Sequence, residues 1–292
     1  MEELHKPVLL LEVLEILQPG TGESYLDLTA GYAGHAGKIL AVTRNYKESV
    51  LVDRDENAIK VLTKKYPEGE FGLEILHEDF YNAAQSLIKC GKTFDMILAD
   101  FGVSSPQLDN SERGFSFMHE GELDMRMDQA QDLSAETIVN YWSEKRLIEI
   151  FETYGEESVG LARKHAREIV YNRPWKTTKE LAEALSPKGW YGKHPATKVF
   201  QAIRIAVNDE LGLIERTLPL IPKLLKSGGR IAIITFHSLE DRLVKQYFKR
   251  VSSLGEESEL EILNKTPIVA GMNELVINPR ARSAKLRAAR KI

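Results

Sequence analysis

A long polar stretch follows the apolar segment Phe94–Ala99 and is the first place where this chain could carry chemistry. It begins with Asp100 and includes Ser104 and Ser105. An ordinary strand-to-helix connection needs a few residues, whereas this one takes about thirty. An open α/β sheet places its ligand crevice at the carboxyl ends of its strands. The stretch is therefore either part of a binding site or a structured surface loop.

A glycine-rich turn between Asp27 and Gly37 is the second candidate site. Glycines allow backbone N–H groups and a helix N-terminus to approach a ligand closely. Asp53 ends the next strand, at the position where an acidic residue binds a ribose hydroxyl in nucleoside sites. The spacing differs from G-x-G-x-x-G, which disfavours a dinucleotide cofactor. The pattern is similar to the nucleoside pocket of S-adenosylmethionine (SAM) methyltransferases, and its alternative is a tight turn with a surface aspartate.

A third cluster, Phe236–Arg242, follows the apolar strand Arg230–Thr235. With Gly31, Asp53 and Asp100 it makes four polar segments that converge on one edge of a parallel sheet. His237 has two interpretations, a substrate contact or the cap of the helix that begins here.

Basic residues suggest a nucleic-acid partner although the formal net charge is −4. Arg280, Arg282 and Lys285 lie in an acid-free C-terminal segment, which is typical of phosphate contacts or of a solvated tail. Trp175 and Lys193 belong to segments in which aromatic and basic residues alternate, as on single-stranded RNA surfaces. Trp142, in an apolar helical pattern, is expected in the core.

The order of elements predicts an α/β fold with a parallel sheet. Strands and helices alternate up to Ala99, and from about Leu133 to Lys198 only helical periodicity is found. One helix is predicted from about Ala196 to Leu213, before the strand Arg230–Thr235. The sheet domain is thus expected to be interrupted by an all-helical insert, with a core of 1–104 and 209–292 and an insert of 105–208.

Composition limits the class of protein further. The chain has 292 residues, 43% of them hydrophobic, so it can bury a full core. Its single cysteine, Cys90, excludes a disulfide framework and a Cys-rich zinc site, and no metal is expected. No signal peptide or membrane segment is recognised, and a cytoplasmic protein is the default expectation.

The motifs together resemble the bacterial RsmH (MraW) family over nearly the whole chain. They are His5–Leu10, Asp27–His35, Asp53–Asp55, Asp100–Gln107, Arg113–Phe117, Leu123–Asp128, Phe200–Leu211, Phe236–Arg242 and Asn278–Ser283. The resemblance implies a class I SAM-dependent methyltransferase with a Rossmann-like sheet. It also implies methylation of the exocyclic N4 of a cytidine in 16S rRNA, at the decoding P site of the small ribosomal subunit.

The resemblance implies site residues as well. SAM would contact Ala33, Gly34, His35, Asp53, Phe80, Asp100 and Gln107. Catalytic residues would be sought among Asp100, Ser104, Ser105 and His237, and RNA contacts among Arg113, Trp175, Lys193, Arg280, Arg282 and Lys285. The family usually has glycine where this chain has Ala33. The group that accepts the amine proton stays open between Asp100, the backbone carbonyls after it and the two serines.

Two other classes of protein share part of these features. A nucleotide-dependent oxidoreductase would share the sheet and Asp53 but should carry G-x-G-x-x-G. A non-catalytic ribosome-assembly factor would explain the basic C-terminus but does not need the glycine turn, Asp53 and Asp100 together. A cytidine deaminase is excluded because its zinc motif needs more than one cysteine. Whether the chain forms a homodimer is left open.

Overall fold

The computed structural model describes residues 6–186 and 194–292. The chain divides into two compact units. The first comprises Met1–Gly102 and Leu211–Ile292, and the second comprises Val103–Glu210. The insert expected at 105–208 lies within the second unit, and its role in substrate recognition stays a prediction.

The first unit is built on a seven-stranded sheet. The strands are β1 Tyr25–Asp27, β2 Val50–Asp53, β3 Glu74–His77, β4 Phe94–Asp100, β5 Leu225–Thr235, β6 Leu260–Ile262 and β7 Lys285–Lys291. Their order in space is β3-β2-β1-β4-β5-β7-β6, and β7 is antiparallel to both of its neighbours. This order, with one antiparallel strand between β5 and β6, is that of the class I methyltransferase fold. The predicted fold class is confirmed.

Alternating side chains of the strands bury both faces of this sheet, because successive residues of a strand point to opposite sides. Leu26, Ile97 and Ile231 belong to the core on one face. Tyr25 and Met96 belong to the core on the other. Both faces are covered, as expected for strands joined by helical crossovers.

The helices follow the strands in the first unit and make up most of the second. They are α1 Leu10–Leu17, α2 Gly34–Thr43, α3 Glu56–Lys65, α4 Phe80–Lys89, α5 Ser105–Asp109, α6 Ala135–Tyr141, α7 Glu144–Thr153, α8 Val159–Tyr171, α9 Thr178–Ala184, α10 Ala196–Asn208, α11 Glu210–Thr217, α12 Ile221–Leu224, α13 Ser238–Val251 and α14 Met272–Ile277. The second unit has its own apolar core, which includes Met125, Phe151 and Phe200.

Two expectations from the sequence were wrong. The helix predicted from Ala196 to Leu213 is two helices, because Asp209 adopts a left-handed conformation with φ +47° between α10 and α11. The last residues of the basic C-terminal segment are neither a solvated tail nor a free phosphate-binding arm. It forms β7, which pairs with β5 from Lys285↔Thr235 to Arg290↔Arg230.

The charges of β7 are neutralised within the fold, which is why a basic segment can lie inside a sheet. Buried Arg287 donates to Asp241 at 2.6 Å. The Lys291 ammonium donates to two backbone carbonyls, those of Pro222 and Leu225, at 2.6 and 2.8 Å. A buried charge is tolerated when it is paired and hydrogen-bonded.

Candidate active site at the carboxyl edge of the sheet

Four parallel strands end at the same edge of the first unit. β1 lies between β2 and β4, and Asp27 pairs with Leu51 and Leu98. β4 pairs with β5 so that Asp100 lies opposite Ile234. The polar segments after these strands therefore share one rim, as the sequence predicted for Gly31, Asp53, Asp100 and His237.

Asp53 closes β2 and organises the neighbouring turn. One carboxylate oxygen accepts the Gly31 N–H at 2.7 Å, and the other accepts the Asp55 N–H at 2.8 Å. Burial raises the pKa of Asp53, and the two backbone donors oppose that shift. Each carboxylate oxygen can accept a second hydrogen bond, so the group retains capacity for ligand hydroxyls.

The glycine turn begins α2 in a conformation that favours glycine. Ala33 precedes the helix with φ +59° and ψ +36°, and its side chain is buried. A Cβ costs energy in this left-handed region, which gives a physical reason for the glycine usual in the family. At Gly34 an added Cβ would lie 3.2 Å from Pro7 Cβ. Backbone thus packs closely at the start of α2.

His35 lies in the first turn of α2 and is buried. Its Nε2 lies 2.9 Å from the Val8 carbonyl oxygen. Since a carbonyl can only accept, Nε2 carries the proton of this bond. Its Nδ1 lies 3.7 Å from a carboxylate oxygen of Asp100. His35 therefore connects the N-terminal segment to the end of β4.

A chain of hydrogen bonds links the ends of β1 and β4. The Tyr25 hydroxyl donates to Asp27 at 2.7 Å, and the other Asp27 oxygen accepts the Thr29 N–H at 3.1 Å. The Thr29 hydroxyl then accepts the Asp100 N–H at 2.6 Å. Desolvation on burial raises the pKa of Asp27 to about 7. These roles of Tyr25 and Thr29 were not predicted from the sequence, and of the two only Thr29 lies within the Asp27–His35 motif.

Asp100 presents an unsatisfied acceptor at the rim. Its Oδ1 is buried and has no hydrogen-bond partner among residues 6–186 and 194–292. Burial raises the pKa of Asp100 well above its usual range, and the nearby charges of Asp27 and Glu240 add to the shift. A buried unpaired acceptor is costly, so this oxygen is suited to a cationic or N–H donor supplied by a ligand.

Phe80 lies at the start of α4, after β3. The capping residue Asp79 accepts the N–H groups of Tyr81 and Asn82 at 2.9 Å and fixes this helix start. The Phe80 ring is half-buried and packs 5.2 Å from the Phe101 ring. It can therefore offer part of an aromatic face to a flat ligand.

His237 is the N-cap of α13. Its Nδ1 accepts the Glu240 N–H at 3.4 Å, and the Glu240 carboxylate accepts the N–H groups of Phe236 and His237 at 2.7 and 3.2 Å. This reciprocal capping box satisfies the first turn of the helix. Helix capping thus accounts for the contacts of the His237 Nδ1 and backbone N–H, whereas Nε2 lies 3.2 Å from the other Glu240 oxygen. The catalytic role of His237 stays a prediction.

Ser104, Ser105 and Gln107 belong to the second unit, where they form the start of α5. The Gln107 N–H donates to the Ser104 hydroxyl at 3.4 Å, and the Gln107 side-chain oxygen accepts the Ser104 N–H at 2.9 Å. Gln107 is buried. Ser104 and Gln107 therefore have a structural role in capping, and their predicted parts in catalysis and cofactor binding stay predictions.

Two of the RNA-binding residues predicted in the second unit are instead core residues. The Arg113 side chain is 4% exposed, and its guanidinium donates to the carbonyls of Arg126 and Met127 at 2.9 and 3.1 Å. Trp175 is 7% exposed, and its Nε1 donates to the Ile169 carbonyl at 2.8 Å. Neither side chain can present itself to RNA without disrupting the unit. Lys193 lies outside the described residues.

The structural role of Arg113 leads to a prediction. Replacing Arg113 with alanine should lower the free energy of unfolding by about 2 kcal/mol, because it leaves two buried carbonyl oxygens without a donor. Urea denaturation measures this loss. The exposed Arg163, replaced in the same way, serves as the control and should change stability by less than about 0.5 kcal/mol. Equal stability of the two variants would contradict the structural role of Arg113 and would favour the predicted RNA contact.

The predicted RNA-binding residues of the first unit differ in exposure. Arg280 and Arg282 are exposed on a short 3₁₀ helix, Pro279–Ser283. Lys285 begins β7, and its ammonium lies 3.2 Å from the Asp241 carboxylate. Burial favours a raised pKa for Asp241, but Arg287 and Lys285 outweigh it and lower that pKa. Lys285 is thus an ion-paired residue at the rim.

Comparison with known proteins identifies the family. Residues 2–292 match the model of the MraW methylase family. The chain belongs to this family. It is 46% identical to the ribosomal RNA small subunit methyltransferase H of Synechocystis sp., over 99% of this chain and 93% of that protein. The protein of the same name from Trichodesmium erythraeum is 47% identical over 99% of both chains.

Among solved structures, a putative rRNA methylase from Clostridium thermocellum aligns with 99% of this chain and 100% of its own. The two are 11% identical, with a TM-score of 0.49.

As a member of the MraW methylase family, the chain is a methyltransferase that uses SAM as its methyl donor. This confirms the cofactor expected from the sequence. Within the described part of the chain, no helix combines the length and the apolar character needed to cross a bilayer.

Proposed function

We propose that this methyltransferase transfers a methyl group from SAM to the exocyclic N4 of a cytidine in 16S rRNA, at the decoding P site of the small subunit. The relatives named as small-subunit rRNA methyltransferases support an rRNA substrate, since they align over nearly the full length of both chains. The motif resemblance supports the choice of N4 and of the P-site cytidine. The observation that carries the proposal is the buried acceptor of Asp100 on a rim shared with Asp53 and the start of α2.

The residues of the rim fit SAM. Asp53 would accept hydrogen bonds from the ribose hydroxyls, Phe80 would lie beside the adenine, and the turn Ala33–His35 would lie against the methionine part. The unpaired Oδ1 of Asp100 would receive a donor that the described residues do not supply.

The cofactor, when bound, supplies an electrophilic methyl group on a positively charged sulfur. The protein must then handle a weak nucleophile, because the lone pair of a cytosine N4 is delocalised into the ring. Its residues have to hold the amine in line with the methyl group and accept the proton that N4 releases. Positioning should therefore contribute more than base strength.

Asp100 is the acceptor that the geometry favours. Thr29 fixes its backbone through the 2.6 Å hydrogen bond to the Asp100 N–H. Its carboxylate has a raised pKa, which makes it a better proton acceptor than a solvated aspartate. A serine hydroxyl is a weak base, and that of Ser104 already accepts the Gln107 N–H as a helix cap. We therefore place Ser104 and Ser105 second to Asp100.

The Asp53 assignment makes a prediction about the cofactor. Asp53→Ala should weaken SAM binding by roughly 1–3 kcal/mol, the range for hydrogen bonds to a charged group. Asp53→Asn keeps one acceptor oxygen and should lose less. Isothermal calorimetry measures both affinities, and thermal unfolding shows that the variants are folded. Unchanged SAM affinity in both variants would remove Asp53 from the ribose site.

The proposed reaction is tested by mapping the methylated base. Small-subunit RNA from a strain that lacks this gene is incubated with the purified protein and SAM, then digested and analysed by mass spectrometry. We expect one new methyl group on N4 of a P-site cytidine. A methyl group on another atom, on another base, or on no RNA would contradict the proposal.

A further inference from the structure

The exposed face of α13 is basic along its length. Arg242, Lys245 and Lys249 are exposed and recur at i, i+3 and i+7, so they lie along one side of the helix. We call these three residues the α13 stripe. Every exposed charged side chain of α13, all of whose residues the structure describes, is basic. The exposed face of the helix therefore carries positive charge and no exposed acid of its own, in a chain whose formal net charge is −4.

The fold removes the acidic residues of α13 from this face. Glu240 is 0% exposed, and its carboxylate accepts the backbone N–H groups of Phe236 and His237. Asp241 is also buried, and Arg287 and Lys285 both pair with it. Both carboxylates are thus buried on the inner side of the helix, away from its exposed face.

The stripe begins next to the rim. The helix cap, His237, follows β5 after one residue, and Arg242 lies in the second turn of α13. Lys249 follows Arg242 by seven positions, which is about 10 Å along a helix axis. Lys285 lies on the neighbouring β7, opposite Thr235 at the rim. A strand of RNA that leaves the rim along α13 would meet these cations in succession.

We propose that the α13 stripe binds the phosphate backbone of the RNA whose cytidine lies at the rim. This inference rests on the proposed function for the identity of the RNA. Phosphate is the ligand that fits, because three cations on one helix face, with no exposed acid on that helix, match a run of like negative charges. Backbone contacts of this kind position the RNA and carry no sequence information.

The test replaces the stripe with a neutral residue that suits a helix. The triple variant combines Arg242→Gln, Lys245→Gln and Lys249→Gln. Its binding of small-subunit RNA is measured between about 50 and 300 mM salt. Three lost contacts to a single strand should reduce the slope of log affinity against log salt by about 2. The KM for RNA should rise at least tenfold, while kcat and SAM affinity stay within twofold of wild type.

The matched control removes the same charge from other helices of the first unit. Lys64 and Lys89 lie in the last turns of α3 and α4, and Lys223 lies in α12 shortly before β5. All three are exposed. Their combined replacement by glutamine should leave the salt slope unchanged. Equal slopes for the two triple variants would overturn the inference.

Further outcomes separate the inference from the proposed function. A double variant, Lys245→Gln with Lys249→Gln, should show about two thirds of the slope change of the triple variant. This double variant tests the inference if the triple variant is unstable. A wild-type protein that binds RNA through the stripe but methylates no cytidine N4 would refute the proposed reaction and leave the surface intact. Weaker binding to the assembled subunit, with an unchanged slope for naked RNA, would indicate a protein partner and overturn the inference.

Discussion

Asp100→Asn should lower the single-turnover rate of methyl transfer by about 100-fold or more at saturating SAM, the lower range for loss of a general base. Asparagine has the same shape, and the backbone N–H at position 100 keeps its bond to Thr29. The variant loses the negative charge and the ability to accept the proton from N4. Rapid-quench measurement with small-subunit RNA gives the rate.

The fold should tolerate this change. The variant removes a buried charge that the neighbouring carboxylates of Asp27 and Glu240 disfavour. Asp95 offers a control because it lies near the start of the same strand, at the opposite end from Asp100. There it is hydrogen-bonded to Ser24 and Lys226. Asp95→Asn should transfer methyl groups at close to the wild-type rate. A wild-type rate for Asp100→Asn would move the search for the acceptor to Ser104, Ser105 and the carbonyls after Asp100.

The elements that position the site could be predicted because their patterns are local. The apolar segment Phe94–Ala99 is a strand in the structure, with the bounds Phe94–Asp100. The strands ending at Asp53 and Asp100 were placed to within one residue. Since the carboxyl ends of parallel strands meet at one edge, their shared rim followed from topology alone.

The remaining features depend on contacts between distant parts of the chain. β7 could not be recognised because its charged Arg287 is neutralised by Asp241, 46 residues earlier. Thr29 gains its role only through Asp100, 71 residues later. Trp175 and Arg113 have residue types that suit RNA, but their burial is decided by the packing of the second unit. Residue type and spacing indicate a chemistry, whereas exposure decides whether a side chain can perform it.

The buried Asp27 should make the stability of the protein depend on pH. Its pKa is raised by burial to about 7 in the folded chain, from 3.8 as the ordinary value. Below pH 3.8 the group is protonated in both states and has no effect. As the pH rises towards 7, the unfolded chain releases this proton while the folded chain retains it, so the unfolded state gains stability. The folded state thus loses on the order of 4 kcal/mol from this group between the two pKa values.

Asp27→Asn should remove that part of the pH dependence, because asparagine stays neutral. The stability of the variant relative to wild type is expected to rise by on the order of 4 kcal/mol between pH 4 and pH 8. A weakened hydrogen bond to Tyr25 or Thr29 subtracts about 1 kcal/mol from the variant at every pH and does not alter this rise. Urea denaturation at each pH gives the difference. Burial of Asp53 and Asp100 is common to both proteins, and loss of the Asp27 charge lowers the pKa of Asp100, which adds to the gain in the same direction. Asp95→Asn should show the opposite sign, since hydrogen bonds to Lys226 and Ser24 outweigh burial and lower the pKa of Asp95. The difference in the free energy of unfolding between wild type and Asp27→Asn could instead be constant from pH 4 to pH 8. That result would mean that Asp27 is already ionised in the folded protein at pH 4, and that a charged carboxylate accepts the hydrogen bonds that link Tyr25 to Asp100.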